Sequence, residues 1–144
     1  MKKLIQICSV LCLVMAFSII SANAQSTQKI KADVPFDFNV AGKHYNAGKY
    51  TLKISDTRQG GAIAHLTDND GHVLDTIIVA ASGDYSRSDA KLTFNNYDGQ
   101  RFLSRISTSE SAYRIARSSV ERQVASGKKA ESSRPTSIAL RTEL

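Results

Sequence analysis

Residues 29–54 read KIKADVPFDFNVAGKHYNAGKYTLKI, and the first twelve of them decide the fold class. Ile30, Ala32, Val34, Phe36, Phe38 and Val40 fill the even positions while most odd positions are polar. That is the period of two of a strand with one face in a core and the other in water. Pro35 falls on the outer face. It has no N–H to give to a ladder, so this segment is predicted to be two strand halves joined by a bend, or a sheet edge guarded against further pairing.

Outward from there, the same chemistry repeats. Ala41-Gly42-Lys43 and Asn46-Ala47-Gly48 can each turn the chain, after which Tyr50, Leu52 and Ile54 alternate with Thr51, Lys53 and Ser55. Gln59-Gly60-Gly61 leads into residues 62–67, and Asp68-Asn69-Asp70-Gly71 reads as a hairpin turn into residues 73–81. Ile77, Ile78 and Val79 are apolar on both faces, which predicts the most buried strand here. Residues 82–90 form a polar loop. Leu92 and Phe94 then alternate up to the Tyr97-Asp98-Gly99-Gln100 turn, and residues 102–106 are the hairpin partner.

A single stretch reads as helix. Ser118-Ser119-Val120-Glu121 fits a capping box, RQVASGKK follows it, and Gly127 is the expected stop. Residues 128–134 are a polar linker, and beyond Pro135 the alternating Ile138 and Leu140 predict a last strand. The expected architecture is all-β, an antiparallel β-barrel or curled β-sandwich of seven to nine strands with one short C-terminal helix. Phe36, Phe38, Tyr50, Leu52, Phe94 and Phe102 are expected on its inner face.

Composition sets the location. Lys2 and Lys3 precede the uncharged run of residues 4–20, and Ser21-Ala22-Asn23-Ala24 closes it with the small residues a signal peptidase reads. Residues 1–24 are therefore expected to be a secretory signal peptide, with residues 25–144 a single β-rich domain carrying no later membrane span. The expected location is periplasmic or extracellular. Both cysteines of the chain, Cys8 and Cys12, lie in that leader, so the domain is expected to hold together in an oxidising compartment without a disulfide. Without Lys2 and Lys3 the chain has 17 basic and 13 acidic residues, and the excess is local. Residues 101–144 carry nine Lys and Arg against four Asp and Glu.

Four blocks together, VPFDFNV, AGKYTL, KLTFNNYDGQRFLSRI and SSVERQVA, resemble an uncharacterised family of small secreted bacterial proteins. Its pattern is Val-Pro-Phe-x-Phe, an Ala-Gly-x-Tyr turn, a Leu-x-Phe…Tyr-x-x-x-x-Phe-Leu hairpin and a late Ser-x-x-Glu-Arg helix. The likeness runs from Val34 to Ala125 and implies a fold and export, with no catalytic residue to transfer. Many relatives have Leu-Pro where this chain has Ile115-Ala116.

The residues themselves offer little chemistry. His44, His65 and His72 lack the short spacing of a metal pair, and a domain without cysteine has no thiolate to bind metal or attack carbon. Asp68-Asn69-Asp70-Gly71 lacks the later carboxylates of a calcium loop and reads as a turn. No Gly-x-Ser-x-Gly occurs. Asp33 and Asp37 could pair as acid and base on an unbroken strand, but Pro35 between them disturbs that alignment. No cofactor, metal or catalytic residue is expected, and few aromatics accompany the cations, which argues against nucleic acid.

The basic set remains: Arg101, Arg105, Arg114, Arg117, Arg122, Lys128, Lys129 and Arg134. Arg114, Arg117, Arg122, Lys128 and Lys129 lie within sixteen residues and are the candidate patch for an anionic envelope component or a protein partner. The expected function is a non-enzymatic, exported interaction module. A carrier of a small apolar ligand inside the barrel is the alternative, and an enzyme the third reading.

Overall fold

The computed structural model describes residues 27–57, 60–83, 90–127 and 135–142. The expected leader, the loop at 84–89, Lys128, Lys129 and Arg134 lie outside the described residues.

Eleven strands and one helix make up these residues. The strands are β1 (Thr27–Val34), β2 (Phe38–Val40), β3 (Lys43–Tyr45), β4 (Gly48–Asp56), β5 (Gly61–Thr67), β6 (Val73–Ser82), β7 (Lys91–Tyr97), β8 (Gln100–Ser107), β9 (Ala112–Ile115), β10 (Thr136–Ala139) and β11 (Arg141–Thr142). The helix, α1 (Ser119–Gly127), follows β9. The count exceeds seven to nine because turns and bends divide the expected strands into shorter pieces such as β2, β3 and β11.

The strands form one sheet in the order β10-β7-β8-β9-β6-β5-β4-β1-β11. Every ladder is antiparallel except a single parallel bridge from β2 to β8, at Asn39 and Phe102. β10 pairs with β7 and β11 pairs with β1, and Leu140 alone separates these two segments of chain. The sheet is thus curled until its two margins meet on one short segment, without closing into a barrel by a continuous ladder.

Pro35 marks the bend. β1 ends at Val34, pairing along its whole length with β4, and the chain then leaves that ladder so that β2 can join β3 and β8. The turn between β2 and β3 is Ala41-Gly42, both left-handed at φ 51° and 87°, the geometry of a type I′ hairpin. Asp98-Gly99 repeats it at 52° and 82° between β7 and β8.

The core follows from the alternation. Ile30, Ala32 and Val34 of β1, Leu52 and Ile54 of β4, Ala62, Ala64 and Leu66 of β5, and Ile77 and Val79 of β6 are buried in one cluster. Each large aliphatic side chain so placed contributes about 1.5–3 kcal/mol. The aromatic part is continuous: Phe38 packs on Phe94 at 5.7 Å and on Tyr50 at 5.3 Å between ring centroids, and Phe36 meets Phe94 edge-on at 5.2 Å. These side chains contact one another where a ligand-carrying barrel would need space.

Two expectations fail, each for a local reason. Ile78 is 82% exposed, because the outer face of β6 is uncovered there and apolar composition alone does not bury a residue. Phe102 is buried but lies on the outer face. A bulge puts Phe94 opposite Leu103 while Thr93 stays opposite Arg105, with Ser104 left over and its hydroxyl donating to Thr93 O at 3.0 Å. One extra residue reverses the faces of the strand beyond it. Leu103 therefore enters the core, Phe102 turns outward to pack on Tyr97 at 5.8 Å, and Arg101 moves to the inner side.

Candidate functional site

The cations Arg105, Arg114, Arg117 and Arg122 lie on β8, on β9 and around the start of α1. Ile106 and Tyr113 face each other in the core, so their neighbours Arg105 and Arg114, also directly paired, face outward together. Arg114 has Ala80 of β6 on its other side and is exposed. It forms no ion pair among the described residues. Arg105 is half-buried and donates from Nη2 to Ser82 Oγ at 3.1 Å.

The chain then passes through residues 116–118 into α1. Ser118 caps the helix by accepting from Glu121 N–H at 3.1 Å, as the capping motif predicts. The reciprocal half of the box is not made. Glu121 instead turns its carboxylate to the sheet, where it is buried, accepts from Asn95 Nδ2 at 2.9 Å and lies 3.9 Å from Arg117 Nε. Arg117 and Arg122 are exposed at the amino end of the helix, where the dipole opposes a cation.

Of the five expected patch residues, Arg114, Arg117 and Arg122 fall on this connected stretch, and Lys128 and Lys129 lie outside the described residues. Arg105 shares the outer sheet face with Arg114. The sequence places Arg105 in the basic set but not in the five-residue patch, because its position opposite Arg114 depends on strand register that no local pattern specifies.

Other expected chemistry separates. Asp33 stands opposite Lys49 in the β1–β4 ladder, while Asp37, beyond the bend, accepts from Ala47 N–H at 2.8 Å. Ligand atoms of Asp68, Asp70 and His72 come within 4.8 Å of one another, yet Asp68 Oδ1 is already bonded to the N–H groups of Asp70 and His72, which shapes the turn. No described helix is long and apolar enough to cross a membrane.

No family model, curated protein or solved structure matches this chain.

Proposed function

We propose that this is an exported, non-enzymatic protein of the cell envelope or extracellular space, whose outer basic face engages an anionic partner. The observation that carries this reading is the direct pairing of Arg105 with Arg114. Like charges opposite each other on adjacent strands weaken a sheet, and cations at a helix amino end weaken the helix. Arg114, opposite another cation, and Arg122, in the first turn of the helix, thus occupy positions that folding alone disfavours, whereas an anionic surface or polymer would relieve the repulsion there. The carrier reading has less support, since Phe36, Phe38, Tyr50 and Phe94 pack against one another.

The test is binding to vesicles containing anionic lipid and to an acidic polysaccharide, at low and high salt. Binding should fall as salt shortens the screening length from about 10 Å at 0.1 M. The double variant Arg114→Gln, Arg122→Gln should bind about tenfold or more weakly, at about 1 kcal/mol for each cation near a charged surface. Binding unaffected by salt, or equal in the double variant, overturns the proposal.

A further inference from the structure

Between the β2–β3 hairpin and the β7–β8 turn lies a cleft of about 370 Å³ lined by Asp37, Asn39, His44, Gly99, Gln100 and Arg101. It has no aliphatic wall. It carries charges of both signs that do not neutralise each other. Arg101 holds its guanidinium 4.3 Å above the Phe36 ring, and its Nε is buried with no hydrogen-bond partner among the described residues. Asp37 commits one oxygen to Ala47 N–H at 2.8 Å. Neither forms an ion pair among the described residues.

The groups around them contact one another. Phe36, which supports Arg101, is itself seated edge-on against Phe94. Asn39 donates from Nδ2 to Arg101 O at 3.4 Å and meets His44 Nδ1 through Oδ1 at the same distance. A guanidinium and a carboxylate that line one small cleft without pairing complement a ligand that carries both opposite charges. A simple anion would meet Asp37, and a neutral polyol would leave both charges uncompensated.

We infer that this cleft binds a small dipolar ligand of the α-amino acid class, its carboxylate on Arg101 and its ammonium on Asp37. With Arg101 Nε shielded, the terminal nitrogens of the guanidinium meet the carboxylate. The polar lining selects a short or polar side chain, for which Gln100, His44 and Asn39 offer both donors and acceptors. The site shares no residue with Arg105, Arg114, Arg117 and Arg122.

The experiment is an amide-resolved NMR titration of the full-length chain with glutamine, N-acetylglutamine, glutamine α-amide and glucose as probes. Glutamine should give saturable shifts at Asn39, His44, Gly99 and Gln100, and blocking either charge should weaken binding about tenfold or more. Asp37→Asn keeps an acceptor for Ala47 N–H, so the fold should persist while glutamine loses its advantage over N-acetylglutamine. Arg101→Lys, which retains the cation and loses the fork, should weaken glutamine and glutamine-like carboxylates alike. The double variant of the basic face should bind glutamine as the parent does. Equal binding of N-acetylglutamine by the parent would make this an anion site, and stronger binding of glucose a polyol site. Either result, or no shift at about 20 mM of any probe, overturns the inference.

Discussion

Asn95 Nδ2 donates to the buried carboxylate of Glu121 at 2.9 Å, and this bond fastens α1 to the outer face of β7. A buried acceptor that loses its donor keeps its desolvation cost. Asn95→Ala should therefore lower stability by about 1–3 kcal/mol, and Glu121→Gln, which retains an acceptor oxygen, by less. Urea denaturation followed by circular dichroism tests this. An Asn95→Ala loss below about 0.5 kcal/mol, the range of a neutral surface change, would mean that the helix is held by other contacts.

Ala41 has φ 51° in a turn whose second residue is Gly42 at 87°. An L-residue with a Cβ is strained there by about 1–2 kcal/mol, and asparagine relieves part of that strain. Ala41→Asn, which creates an Asn-Gly type I′ turn, should raise the thermal midpoint. Gly42→Ala should lower it through backbone strain, because its Cβ would meet Ser118 Cβ only at an ordinary 3.9 Å. Opposite signs for the two variants in thermal melts are the expected result.

Asp75 ties the β2–β3 hairpin to β6. Burial raises its pKa, but hydrogen bonds from Lys43 Nζ at 3.0 Å, Thr76 N–H at 2.9 Å and Tyr45 Oη at 3.1 Å outweigh burial and hold it below the ordinary aspartate value. Its contribution to stability is thus present above about pH 3.9 and lost as pH falls through the lower folded value. Tyr45, desolvated by the same packing and bonded to that carboxylate, is pushed up to about 12. Its contribution is present below about pH 10 and lost as pH rises through the folded value. Urea midpoints across the acid range should fall less steeply for Asp75→Asn than for the parent. Absorbance titration of that variant should also move Tyr45 back toward the ordinary tyrosine value.

Phe94 is fully buried and Ile78 is 82% exposed, although both are large apolar residues within strands. Phe94→Ala should cost about 3–5 kcal/mol. Ile78→Thr should change stability by no more than about 0.5 kcal/mol, as for other exposed positions. Chemical denaturation of the two variants side by side decides whether the faces of β6 and β7 are assigned correctly.

Much of the fold was legible because short-range physics specifies it. The alternation through Ile30, Val34 and Phe38, the break at Pro35, the Asp98-Gly99 turn and the Ser118 cap each depend on residues a few positions apart. Ile78 misled because a strand records which residues could be buried and says nothing of whether another layer covers them. The closeness of the cations in sequence could be read directly, whereas the placement of Arg105 opposite Arg114 could not, since cross-strand partners are chosen by register.

The sequence by itself determined the all-β class, most of the turns, the inner-face phase of β1, β4 and β7, and the helix start at Ser118, because alternation, φ preference and capping act locally. The tertiary structure alone decided the outcome at residues 101–105. There the bulge at Ser104 turns Phe102 outward, brings Leu103 into the core and sets Arg101 over Phe36. The physical reason is that a bulge costs little locally and is selected by how two strands, distant from the rest of the core in sequence, must bend to pack on it.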